Sequence, residues 1–379
     1  MGGGIARWME ALALMYPPGE LKVSTGLLPG WETADAALPN PVDRLGIPSS
    51  RLKTLPGLLR WSMRAAALAR DPSARFAWCG NVRPAGYPAR WAFERTRLPY
   101  GIIVHGGDLL TLRQKIRRSR FKRWSYRSLL NAAAVFVANS GWTAERCREL
   151  LHDLHLPAAA ERVRVVPLGT DPDRFSPGPA AAEAFRAQRG LPGGPWLVTV
   201  ARLVPHKGID SGIRLLAALS GEHPALRYLV VGRGPYEAEL RRLAESLGLA
   251  NRVHILSDVT DEELPAAYAS GDIYLGLSRE AGLDVEGFGI ALLEAAACGL
   301  PVVAGASGGT ADAVAHGASG FLVDPDDIQQ AIDAVKKLLD DPALARQLGN
   351  AGRERVMHGF TWERVVNELR GIALELGRK

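Results

Sequence analysis

Glu286 and Glu294 stand eight residues apart in Glu286-Gly-Phe-Gly-Ile-Ala-Leu-Leu-Glu294. Gly287 and Gly289 let the backbone approach a bound group closely. An apolar helix expected to begin near Gly289 would turn unsatisfied N–H groups and its positive dipole end toward an anion. Two acids would then bracket a phosphate site; the alternative is a buried loop-to-helix junction that Glu286 merely caps.

Arg202 and Lys207 lie in Val200-Ala-Arg202-Leu-Val-Pro-His-Lys207-Gly208, between an apolar strand and the next helix. In a doubly wound sheet, ligands bind beyond the carboxyl ends of the strands, so these cations are candidates for a diphosphate, with plain surface charge as the alternative. Gly232-Arg-Gly234 also follows a strand. The third glycine of a dinucleotide fingerprint is replaced by Glu237, which leaves a glycine turn near a nucleotide or a simple turn. His105, in Val-His105-Gly-Gly-Asp108, should stand at the same kind of strand end, as a ligand contact or a structural histidine. Gly2-Gly3-Gly4 makes a second glycine-to-helix junction unless it is foreign to the protein. Asp171-Pro-Asp173 and Asp324-Pro-Asp326 read as proline turns, so no metal and no cofactor is expected.

Positioning these groups requires parallel sheets, and the chain alternates short apolar runs with helical periodicity throughout. One series of strands is expected at 21–25, 76–79, 101–104, 134–138 and 163–167. A second is expected at 196–201, 228–231, 253–256, 273–275, 301–304 and 320–323, with helices near 328–339, 342–357 and 361–376. The proline-rich stretch 171–195 reads as the connection. The expected domains are therefore 1–180, 190–357 and a terminal helix, 358–379, crossing back to the first. A length of 379 residues, 47% of them hydrophobic, suits two cores and excludes disorder. No window reaches the roughly 18–20 apolar residues of a membrane span, and 5–15 is too broken for a secretory signal, so a cytoplasmic protein is expected. Cys79, Cys147 and Cys298 are too scattered for a disulfide framework or zinc site.

The charge is uneven. Residues 51–127 hold 18 Lys and Arg against three acids, whereas the remainder holds 28 basic and 37 acidic residues. An anionic partner is therefore expected for the first half: nucleic acid, a membrane face or a phosphorylated substrate.

Taken together, these residues resemble the retaining glycosyltransferases of family 4, over nearly the whole chain from Gly3-Gly4 to Phe360-Thr-Trp362-Glu. The resemblance implies the GT-B fold, an α/β architecture of two Rossmann-like domains facing across a cleft. It implies that Arg202 and Lys207 hold the donor diphosphate, Glu286 the sugar hydroxyls and Glu294 the ribose. It also implies a donor site that includes Gly232, Gly287, Phe288 and Gly289, a contact from His105 to the donor sugar, and a reaction-centre loop at Gly3-Gly4. Cations and a helix start can stabilise a departing nucleoside diphosphate without a metal, by front-face transfer through an oxocarbenium-like state.

The segments 282–295 and 304–310 are similar to the phosphatidylinositol mannosyltransferase branch, whose members use GDP-mannose. Asp258 is then a candidate acceptor for guanine N1–H and its 2-amino group, or an exposed loop acid. Unlike the family pattern, no apolar strand precedes Gly3-Gly4; either the reading frame is longer or the first sheet lacks a central strand. A UDP- or ADP-glucose enzyme with a soluble acceptor is the alternative function, and a nucleic-acid-binding protein, suggested by the aromatics among the cations of 113–127, a remote one. The amphipathic basic stretch 51–70 points to a lipid-linked acceptor reached from an anionic membrane, with the protein peripheral at its inner face. Packing of Leu59, Trp61 and Met63 into a core is the alternative.

Overall fold

The computed structural model describes residues 4–378, which form two compact units. Residues 4–167 and 362–378 belong to one and 168–361 to the other, so the chain passes between them twice.

In the N-terminal unit, β1 (Val23–Leu27) pairs in parallel with β2 (Val42–Pro48). A separate parallel sheet has the order β3 (Ala77–Cys79), β4 (Tyr100–Val104), β5 (Val135–Ala138) and β6 (Val163–Val165). Every residue of β4 and β5 is buried, as continuous apolar runs covered on both faces should be. Among the described residues β1 and β3 each pair along one edge only. The strand β2 has no counterpart among the sequence expectations. Its Gly46, Pro48 and half-exposed pattern carry little apolar alternation, and its pairing with β1 supplies the order that its own residues do not.

The helix Trp362–Leu376 packs against Gly4–Met15 and buries Val365, Val366, Leu369 and Ile372. Arg370 grips Glu20 at 2.6 and 2.8 Å, and Arg164 grips Glu375 at 2.7 and 2.6 Å.

The C-terminal unit holds one all-parallel sheet in the order β12-β11-β10-β7-β8-β9. The strands are β7 (Trp196–Val200), β8 (Arg227–Val231), β9 (Val253–Leu256), β10 (Ile273–Gly276), β11 (Val302–Gly305) and β12 (Gly320–Val323). The order reverses between β7 and β10, the switch point at which doubly wound sheets open a crevice beyond their strand ends. The stretch 171–195 carries the helix Pro179–Gln188, whose Ala182 and Phe185 are buried in this unit. The three cysteines are buried free thiols, and burial pushes each up to about 12.

Leu369 is fully buried in the N-terminal unit, so Leu369→Ala should cost about 2–5 kcal/mol of stability in urea unfolding. Amide exchange should accelerate in Gly4–Met15 and stay unchanged in β11.

Candidate active site

At the switch point, β7 runs out into Ala201-Arg202 and a short turn, Pro205–Lys207. Gly208 ends that turn at φ 66°, and a Cβ there would lie 1.8 Å from the carbonyl oxygen of Leu277. Only glycine allows the turn to lie so close to the end of β10. Arg279, just past β10, secures the same turn. Its N–H donates to the His206 carbonyl at 2.8 Å, and its guanidinium reaches both Asp210 oxygens at 3.0 Å and Ser211 Oγ at 3.0 Å. Lys207 is thereby aimed into a pocket lined by Thr199, Tyr274, Ser278, Glu286, Gly289 and Leu292. There its Nζ donates to Glu286 Oε2.

Glu286 sits in the loop before the helix Ile290–Ala297, whose N-cap, Gly289, has φ 93° and provides no side-chain cap. A second glycine turn holds this loop from behind. Gly309 N–H donates to the Glu286 carbonyl at 2.9 Å, and a Cβ on Gly308 would lie 2.0 Å from that oxygen. The Glu286 side chain is 18% exposed. Burial alone would raise its carboxyl, but Lys207 foremost, then His206 and Arg202, outweigh burial and hold it below the usual carboxylate range. Burial, assisted by Lys207, lowers His206 below the usual imidazole range.

Arg202 is exposed at the end of β7. The turn after β8 closes on it: a Cβ on Gly232 would lie 1.8 Å from the Ala201 carbonyl oxygen, and Leu203 N–H donates to Arg233 O at 2.9 Å. Arg202, Lys207, Gly232, Glu286, Gly287 and Gly289 thus occupy adjoining turns at one end of the sheet.

The remaining candidates lie differently. Glu294 is buried inside its helix, where Oε2 accepts from Tyr268 Oη at 2.6 Å. Phe288 is 1% exposed and packs its ring 6.2 Å from that of Phe360. Asp258 is 71% exposed and paired at 2.7 Å with Arg189, which holds its carboxyl below the usual range. Both Asp-x-Asp segments are turns closed by their own first carboxylate. Among the described residues, no group of three His, Cys, Asp or Glu is placed to hold a metal.

His105 belongs to the N-terminal unit, at the end of β4. Its Nε2 lies 3.0 Å from the Gly80 carbonyl, and its ring is edge-on to Trp8 at 5.8 Å. Burial lowers it, and because a carbonyl only accepts, the neutral ring carries its proton on Nε2. Gly3 lies outside the described residues, and Gly4 opens the first helix. Sequence reasoning missed Arg279, Asp210, Ser278 and Trp8. The rule that ligands gather at strand ends would have reached Ser278 and Arg279.

Replacing Glu286 by Gln isolates the ion pair. The contribution of the pair is complete above the unfolded carboxyl value of 4.5 and fades as pH falls through the lower folded value. The melting-temperature gap between the unsubstituted chain and Glu286→Gln should be constant from neutral pH to about 5 and narrow below that. A gap unchanged at about pH 3 would show that the pair does not hold the loop.

Residues 182–355 match the family model for glycosyl transferases group 1, and residues 3–174 match that for glycosyltransferase family 4. The GDP-mannose-dependent alpha-(1-6)-phosphatidylinositol monomannoside mannosyltransferase of Mycobacterium tuberculosis H37Rv is 40% identical over 315 residues, 82% of this chain and 74% of that protein. The protein of the same description from Mycolicibacterium smegmatis is 40% identical over 242 residues, 63% of this chain and 62% of its own length. HepE of Anabaena, crystallised with UDP, superposes with a TM-score of 0.79 at 21% identity, covering 98% of this chain and 96% of that one. A glycosyltransferase from Rickettsia africae gives 0.80 at 19%, covering 99% and 95%; these two establish a shared GT-B fold. Matched in order over both units and 40% identical to a relative covered over 74% of its length, the chain belongs to the group 1, family 4 glycosyltransferases.

Proposed function

We propose that this chain transfers mannose from GDP-mannose, with retention of configuration, to a hydroxyl of a lipid-linked acceptor. The observation that carries the reading is the Lys207–Glu286 pair beside the uncapped start of the helix Ile290–Ala297. In the reaction, the bond from the anomeric carbon to the donor's β-phosphate oxygen breaks. The acceptor oxygen bonds to that carbon, and its proton passes to the departing phosphate. Arg202, Lys207 and the helix amides oppose the charge that develops on the diphosphate. Glu286, ionised because of its cationic neighbours, accepts from the sugar hydroxyls. Glu294, oriented by Tyr268, is assigned to the ribose, Asp258 to the guanine edge and the neutral His105 to the sugar.

The relatives named GDP-mannose-dependent support the donor, and those named for phosphatidylinositol mannosides support the lipid acceptor. Among the described residues no helix is long and apolar enough to cross a membrane. Peripheral docking at the inner membrane face is assigned instead to the helix Leu55–Leu68. Its inner face is small (Gly57, Ser62, Ala66), whereas Leu55, Leu59 and Met63, at intervals of four residues, are 82, 50 and 54% exposed. Arg60 and Arg64 lie on the same helix, Arg64 paired with Asp43, and the exposed Arg70 follows it. Leu58 and Trp61 are half-buried, Trp61 donating to Ser24 Oγ at 3.2 Å.

A thermal-shift panel tests the donor. GDP at about 100 times its Kd should add about 2.7 kcal/mol of stability, with UDP and ADP doing far less. Protection by UDP alone would overturn the guanine reading. Lys207→Ala should weaken GDP binding by about 1.5–3 kcal/mol, the value of a charge-assisted contact, whereas Glu286→Gln should retain GDP binding and lose transfer. Full transfer by Glu286→Gln would remove Glu286 from the reaction.

A further inference from the structure

Residues 109–144 contain eight Lys and Arg and no acid. They fold as two helices, Gly106–Arg118 and Arg120–Asn131, joined by an elbow at Ser119. That residue is extended (φ −149°), and its hydroxyl accepts from Lys122 N–H at 3.3 Å, restarting the helix. Inward, the pair buries Leu109, Leu112, Ile116, Tyr126, Leu129 and Leu130. Outward, Phe121 and Trp124 are 74 and 67% exposed, their rings 6.1 Å apart on one face of the second helix.

Some cations here have structural work: Arg113 binds Asp153 at 2.6 Å and pairs with Glu149, and Arg123 donates to the Asp153 carbonyl at 2.6 Å. Arg118, Arg120, Lys122 and Arg127 are exposed, and among the described residues no carboxylate pairs with them. Two large aromatics held in water amid unpaired cations suit a medium that is apolar beneath and anionic above. Trp and Phe are favoured at that boundary, and Lys and Arg reach its phosphates. Single-stranded nucleic acid also stacks on aromatic rings. The same unit, however, exposes Leu55, Leu59 and Met63 on another basic helix, and these offer nothing to stack upon.

We propose that the Ser119 elbow inserts Phe121 and Trp124 into the headgroup boundary of an anionic bilayer, as a second attachment point beside the helix Leu55–Leu68. The proposal rests on the membrane reading above for its setting, but not on the donor or on the residues of the other helix.

The test compares the whole chain with Phe121→Ala/Trp124→Ala and with Leu59→Ser/Met63→Ser. Each is sedimented with phosphatidylcholine vesicles, with and without phosphatidylglycerol, across a salt series. The aromatic variant should bind phosphatidylglycerol vesicles about tenfold more weakly and lose the fraction that resists salt, since two large apolar groups no longer leave water. Its melting temperature should not change, because neither ring is buried. Unchanged vesicle binding would overturn the proposal, as would loss of a single-stranded RNA complex with no vesicle binding in any form of the protein. Vesicle binding lost only in Leu59→Ser/Met63→Ser would sink the elbow while keeping the membrane reading. Nucleotide protection, read separately, decides the donor.

Discussion

A charge removed from water must be compensated where it sits, and in the C-terminal unit that requirement falls on Lys207 and Glu286. Their pairing places demands on everything around them. The turn carrying Lys207 has to touch β10, which only Gly208 permits, and the loop carrying Glu286 has to rest on the turn at Gly308-Gly309. Arg279 joins the first of these turns to the start of the following helix through His206, Asp210 and Ser211. A polyanion entering this pocket meets a cation already oriented, and a carboxylate already ionised, at the price of displacing one partner from the other. Under the proposed function, binding and chemistry would draw on one electrostatic balance.

The N-terminal unit follows another logic. The helix Leu55–Leu68 turns Gly57, Ser62 and Ala66 inward and leaves Leu55, Leu59 and Met63 outside. The elbow at Ser119 does bury large residues, yet keeps two aromatics in water. In both places cations surround the exposed apolar groups. Apolar burial within the unit does not explain this pattern; the proposed attachment to an anionic, apolar-backed surface would. His105 contrasts with both, held neutral by burial with its proton fixed toward Gly80.

Much of this was legible without coordinates. Strand runs such as Val135–Ala138 and Val302–Gly305 are bounded by turns and apolar throughout, so local composition marks them. The strand β2 was not legible, because its order comes from pairing with β1 rather than from its own residues. In the basic helix at 55–68, the sequence marked an amphipathic element but not its outward side. Leu58 and Trp61 turned half inward because Trp61 meets Ser24, a partner 37 residues away.

The amino-acid sequence by itself determined the alternation of strands and helices, the order of Arg202, Lys207, Glu286 and Glu294, and the uneven distribution of charge, because each is a property of neighbours along the chain. Only the tertiary structure decided which of those acids shares a pocket with the cations. Glu286 meets Lys207, 79 positions earlier in the chain, whereas Glu294 turns into the core toward Tyr268 and Asp258 outward toward Arg189. The physical reason is that a carboxylate takes its state from the charges and dielectric within a few ångströms, and it is the parallel pairing of β7 with β10 at the switch point, not spacing along the chain, that brings those charges together.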